Sequence, residues 1–295
     1  MRAVLGLALT VGLSVTLAAC GSSTSVAKHA KGKGARRALP TAIVPVSRGA
    51  EALGPLQSNG LFAVLAGNAS AQGVFTYDLA NHTEVDSFSV SNLATSVTEL
   101  PSGVIAVGLA GNGVGAVDLY SGSGHQIASI PVADPVRALA VGGDGATIYV
   151  LMNSSGGRAV AVLDATTRLA STTIPVDSQT VAVAPSLHDH ELYGLDATGS
   201  VSVYATSTGQ RIGSFAVGHS GVDLVLSPNG TQLYVLKGRG GIRNVAVVDL
   251  ATERNIAAVA APAGSVSLQA GLSGHHLLEL ASIASAANVQ ELPVS

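Results

Sequence analysis

The chain has 295 residues, of which 15 are Lys or Arg and 18 are Asp or Glu, for a formal net charge of −3. Charged residues make up 11% and aromatics 3%, Trp is absent, and there are 35 Gly. Such a chain is too apolar for intrinsic disorder and too evenly charged for a nucleic-acid binder. At this length it buries on the order of 70% of its unfolded surface and needs no disulfide to fold.

Met1 and Arg2 open a short positive segment, and Ala3 to Ala19 follow as seventeen mostly apolar residues. That run is short for a bilayer span of about 20 residues and has the shape of a secretory leader. It ends Leu17-Ala18-Ala19-Cys20-Gly21, and Cys20 is the only cysteine of the chain. Small residues before a cleavage point suit a signal peptidase, and a Cys at that place resembles the bacterial lipobox. The resemblance implies a leader over residues 1–19. It also implies a Cys20 that carries a diacylglyceryl group on sulfur and a further acyl chain, palmitate-like in kind. More than one chain gives stable anchoring where one alone is marginal. An ordinary leader with a chance Cys, or an uncleaved anchor, is the competing reading. A mature domain without Cys fits export in either case.

Residues 20–39 change to Gly, Ser and Ala with Lys28, Lys31, Lys33, Arg36 and Arg37, and contain no acid. A flexible linker of this length reaches roughly 25 Å. It reads as a solvated spacer, or as a strip attracted to anionic headgroups at up to about 1 kcal/mol per cation. Nine basic residues and all 18 acids remain beyond it.

From residue 40 onward the chain repeats. Turn pairs recur at Asn59-Gly60, Ser102-Gly103, Asp144-Gly145, Asn229-Gly230 and Ser273-Gly274, with His188-Asp189 in the fourth unit. Asn-Gly and Asp-Gly favour the turns that match strand twist. A β run follows each turn: Leu61 to Val64, Val104 to Val107, Ile148 to Leu151, Leu192 to Leu195, Leu233 to Leu236 and Leu277 to Leu280. A third strand recurs at Val74 to Asp78, Val114 to Asp118, Val160 to Asp164, Val201 to Ala205, Val245 to Asp249 and Asn288 to Leu292. A fourth recurs at Ser87 to Val90, Ser129 to Val132, Thr173 to Val176, Ser214 to Val217 and Ala258 to Ala261. Four strands per 40–45 residues is the pattern of a β-propeller. The expected fold is therefore all-β, with six four-stranded blades over 40–295; a seventh would need about 40 further residues. Thr41 to Val46 matches a fourth strand and should complete the last blade, closing the ring and removing its open edge.

Ser227-Pro228-Asn229-Gly230-Thr231-Gln232-Leu233-Tyr234-Val235 and the strand Val160 to Asp164 leading to Ile174-Pro175-Val176 resemble the YVTN β-propeller repeat. No Trp-Asp pair occurs, which separates the chain from true WD repeats.

The residues that carry chemistry are sparse. Asp78, Asp118, Asp164 and Asp249 end third strands and are expected to cap their turns. Gly111-Asn112-Gly113-Val114-Gly115-Ala116 matches a dinucleotide fingerprint but leads into a strand, so no helix N-terminus is expected to meet a pyrophosphate. His188 and His190 offer a local two-His pair, and His275-His276 stands at the equivalent turn two blades away, too far to share one metal. The loops expected on the face where propellers commonly bind carry Arg48, Glu51, Asp134, Arg137, Arg158, Asp177, Asp196, His219, Asp223, Lys237, Arg239 and Arg243. Lys237, Arg239 and Arg243 fall within seven residues, and with His219, Asp223, Arg137 and Arg158 they are the candidate binding residues. Basic residues without interleaved aromatics do not form a nucleic-acid platform. No catalytic residue, cofactor or metal site is expected. The reading is a lipid-anchored binding or scaffold module on the extracytoplasmic face of a bacterial membrane, with an envelope protein or a small ligand as partner. The alternative is a lactonase-like or lyase-like enzyme, metal-dependent or not, built on His219, Asp223, Asp177 and Asp134. Propellers of similar repeat type include such activities.

Overall fold

The computed structural model describes residues 43–294 apart from 69, 240, 272–275 and 284–285. The leader, Cys20, the basic tether, Thr41 and His275 lie outside the described residues.

The chain enters through β1 (Ile43–Val46). Blade 1 follows as β2 (Ala50–Leu53), β3 (Leu61–Asn68), β4 (Ala71–Asp78) and β5 (Thr83–Val90). Blade 2 is β6 (Ala94–Glu99), β7 (Ile105–Ala110), β8 (Gly115–Tyr120) and β9 (Gln126–Val132). Blade 3 is β10 (Val136–Val141), β11 (Thr147–Ser154), β12 (Gly157–Asp164) and β13 (Leu169–Val176). Blade 4 is β14 (Thr180–Pro185), β15 (Glu191–Asp196), β16 (Ser200–Ala205) and β17 (Arg211–Ala216). Blade 5 is β18 (Gly221–Leu226), β19 (Gln232–Arg239), β20 (Ile242–Asp249) and β21 (Arg254–Ala261). Blade 6 holds β22 (Ser265–Ala270), β23 (His276–Ile283) and β24 (Ala286–Pro293), with β1 as its fourth strand. All pairings are antiparallel, and β1 joins β24 from Ile43 opposite Gln290 to Val46 opposite Ala287. The six-bladed propeller and its closure by the N-terminal strand are thus as expected.

The middle strands are continuous apolar runs because both of their faces are buried. Along β11, Ile148, Val150 and Met152 pack on blade 2 while Tyr149 and Leu151 pack on blade 4. The core is accordingly six clusters, one between each pair of neighbouring blades. The outer strands, by contrast, are largely exposed, as in β5 and β13.

Turn chemistry fixes the register. Asp189 adopts φ +57° where other blades place a turn glycine, such as Gly145 at +70° and Gly230 at +71°. Asp is one of the few residues that tolerate this region. Its turn packs on that of blade 3 so closely that a Cβ at Gly143 would lie 1.8 Å from the Leu187 carbonyl oxygen. Asp78, Asp164 and Asp249 cap their turns through backbone N–H groups at Asn81, Thr167 and Thr252. Asp118 does not cap. It lies inside β8 opposite Val107, is buried, and accepts a 3.4 Å bond from the Tyr120 hydroxyl. Two further residues follow it in the strand, which moves the turn away from its carboxylate.

Candidate functional site at the channel mouth

Two sets of loops share one face. In all six blades the end of the second strand donates a backbone hydrogen bond to the loop that precedes the first strand: Gly67 to Gly49, Ala110 to Leu93, Asn153 to Pro135, Ala197 to Gln179, Gly238 to Ser220 and Ser282 to Gly264, at 2.8–3.1 Å. This is the face expected to carry the binding residues.

The innermost strands share a feature that was not anticipated. Each has a β-bulge at the same place, just inside this face, and the extra residues are Glu51, Thr95, Arg137, Val181, Val222 and Val266. A bulge leaves one residue unpaired and re-aims its side chain. All six line a single cavity of about 150 Å³ at the mouth of the central channel. Around the ring the bulge residues of blades 1–3 are an acid, a hydroxyl and a guanidinium, and those of blades 4–6 are three valines. A second cavity of about 250 Å³ continues below, walled largely by Ala, Val and Leu of β10, β14 and β18. The two share Ala138, Leu139, Ala182, Asp223 and Gln269, so Asp223 stands at the waist of the channel.

Asp223 is also a tie between blades. Its Oδ2 accepts from the Ser267 hydroxyl at 3.0 Å and the Leu268 amide at 2.8 Å, and its Oδ1 from the Leu224 amide at 2.9 Å. Burial nevertheless outweighs these bonds and raises the carboxyl to about 6. Similar ties cross other interfaces near the channel. Gln72 makes a two-way pair with the Ala94 backbone, Thr95 donates to the Val136 carbonyl at 3.0 Å, and Gln269 donates to the Leu53 carbonyl at 3.0 Å.

The candidate residues separate into free and committed groups. Arg137 is exposed at the mouth and forms no hydrogen bond or ion pair with any described residue. Arg158 donates to Asn153 and Ser178, and burial followed by the charge of Arg137 holds its guanidinium below the ordinary value. Lys237 donates to the Val217 carbonyl, and burial lowers its ammonium. Arg243 donates to the Gly238 carbonyl. Arg239 pairs with Ile242 at the hairpin end and is exposed. Lys237 and Arg239 share one face of the hairpin, whereas Arg243, opposite Gly238, lies on the other. Three cations close in sequence therefore do not form one patch, because strand alternation splits them.

His219 is exposed in its loop. Asp177 accepts from the Ser202 hydroxyl at 2.5 Å and lies 3.7 Å from Arg211. Asp196 caps the tight turn at the end of β15 through the amides of Thr198, Gly199 and Ser200. His188 and His190 place their ring centres 6.4 Å apart at 43°. Among the described residues no three His, Cys, Asp or Glu side chains gather closely enough to hold a metal. The Gly111 to Ala116 segment forms the hairpin between β7 and β8, as expected of a strand connection.

Fold and site together define a six-bladed β-propeller with an open, mixed-polarity channel mouth. No protein family and no curated relative matches the sequence. In three dimensions the chain is similar to hydrazine synthase of Kuenenia stuttgartiensis, with a TM-score of 0.64 at 15% identity over 83% of this chain and 84% of that one. As many as 1653 solved chains match it, so the likeness describes the fold and selects no activity.

Proposed function

We propose that this chain is an exported, lipid-anchored propeller that serves as a binding module at the bacterial cell envelope. Cys20 would hold it to the extracytoplasmic face of the membrane, and the channel-mouth face would receive its partner. The observation that carries the binding role is the ring of six bulge residues. It opens a concave site of mixed chemistry, with a guanidinium left unpaired, on the face that holds six of the nine cations beyond residue 39. Anchoring rests on the lone cysteine and the small residues before it.

Two measurements test the two halves. Cys20→Ser should move the protein from the membrane fraction to the soluble one and remove the mass of the acyl chains. Retention in the membrane without that mass change would overturn the anchor. Crosslinking of the intact lipoprotein in its host should then capture a recurrent partner that an Arg137→Ser, Arg239→Ser double variant loses. Both residues are exposed, and neither makes a side-chain hydrogen bond or ion pair to a described residue, so the fold should survive the change. A partner indifferent to it would overturn the face.

A further inference from the structure

We infer that the channel mouth is a receptor site for a small zwitterion of the α-amino-acid type with an aliphatic side chain. The carboxylate would lie on Arg137, the ammonium on Glu51, and the side chain on the arc of Val181, Val222 and Val266. The inference deepens the binding role proposed above by naming a ligand class, and it needs only the mouth face, not the lipid anchor.

Three observations converge on it. First, the only formal charges on the bulge ring are one acid and one guanidinium, one blade to either side of Thr95, and they make no ion pair with each other. Arg137 presents an unused planar fork of donors, the geometry that carboxylates take in two parallel bonds. Among the described residues Glu51 accepts one hydrogen bond, from the Gln72 side-chain amide at 3.3 Å, which leaves acceptor capacity toward the cavity. Second, the other half of the ring is three half-buried valines, and the Asp223 carboxylate that lies beside them is already taken up by Leu224, Ser267 and Leu268, so the mouth offers free opposite charges on one side and aliphatic surface on the other. A simple anion would use one of these features and a hydrocarbon another; an aliphatic amino acid uses all three. Third, the mouth cavity that the six bulge residues line, about 150 Å³, is small against the roughly 300–1,000 Å³ of pockets for drug-sized ligands. The occupant is therefore small. The Thr95 hydroxyl shares its one hydrogen between the Val136 carbonyl at 3.0 Å and the Gly108 carbonyl at 3.2 Å, so it is committed to the backbone between the two charges.

The test is calorimetric titration of the full-length protein in detergent micelles with L-leucine, N-acetyl-L-leucine and L-leucinamide. L-leucine should bind saturably with one site per chain. Removing the ammonium or the carboxylate from the ligand should weaken binding roughly tenfold or more, the scale of a lost charge-assisted contact. Arg137→Ala and Glu51→Gln should each do the same for L-leucine, with Arg137→Lys intermediate because it keeps the charge but loses the fork. Arg254→Ala, exposed on the outer strand of blade 5, should bind like the parent. Unchanged melting temperatures would show that the variants fold. Absence of saturable L-leucine binding at millimolar concentration, equal binding of leucinamide, or indifference to Arg137→Ala would each overturn the inference. None of these outcomes touches the fractionation or crosslinking result, so the two readings fail separately.

Discussion

Glu279 offers a direct test of how the ring is packed. On β23 it takes the register position that Val64, Val107, Val150 and Val235 hold in blades 1, 2, 3 and 5 and Gly194 holds in blade 4. It faces blade 5, is fully buried, and neither carboxylate oxygen has a hydrogen-bond partner. Burial raises the carboxyl to about 7 from an ordinary 4.5, and polar contacts from Ser265 and Gln290 that fall short of hydrogen-bond geometry temper the rise. The folded chain therefore holds a proton that the unfolded chain has released. The contribution of this group to stability is greatest below about 4.5 and falls as the pH climbs to about 7. That interval corresponds to about 3 kcal/mol once the group is ionised in both states. Glu279→Val should thus raise stability by about 3 kcal/mol or more at pH 8. At pH 5, where only an unpartnered neutral carboxyl is relieved, the gain should be about 1–2 kcal/mol. Glu279→Gln should lose the same pH dependence but stay below Glu279→Val, since it leaves a buried amide in place of the acid. Asp223, which faces the same interface from blade 5, and Glu99, raised by burial to about 7, titrate in every variant and cancel in the differences. The assay is urea unfolding of a lipid-free chain beginning at Gly21, at both pH values, with unchanged m values required. A gain equal at the two pH values, or no gain at pH 8, would contradict a Glu279 that is protonated in the fold.

Two other perturbations address closure and the lower turns. Deleting Thr41 to Val46 removes the fully buried Val44 and the pairing of β1 with β24. The loss should be at least about 3 kcal/mol, or about 6 °C or more in melting temperature; a truncated chain that melts like the parent would contradict ring closure by this strand. Gly143→Ala drives a methyl into the Leu187 carbonyl and should destabilise by about 2 kcal/mol or more. Gly156→Ala is its control in thermal melts, because nothing lies within 4 Å of that position and φ there is not positive, and it should stay within about 0.5 kcal/mol of the parent.

Most of the fold was legible in the chain because a propeller repeats its local rules. The turn residues and the doubly buried second and third strands recur every 43 residues or so, and each recurrence carries its own periodicity. The first strands were the exception. They are short, built mostly of Ala and Val with polar residues interspersed, and bulged, so neither strict alternation nor a long apolar run marks them, and with them the bulge ring stayed hidden. Glu51 and Arg137 were placed on the correct face from loop order alone, while Thr95, Val181, Val222 and Val266 had no distinguishing chemistry until six blades aligned them. The misjudged features were those that depend on exact strand length or side. Asp118 looked like its turn-capping counterparts, but two extra residues of β8 carried the turn past it. Lys237, Arg239 and Arg243 fall within seven residues, yet strand alternation divides them between two faces.

The number of blades, the strand order within each and the closing role of the N-terminal strand follow from period and hydrophobic pattern, which a chain carries before it folds. Tertiary structure alone decided which charges are free. A guanidinium or carboxylate is committed or available according to the carbonyls, amides and hydroxyls that other blades bring to it. Those neighbours lie one repeat or more away along the chain, as Ser267 does from Asp223.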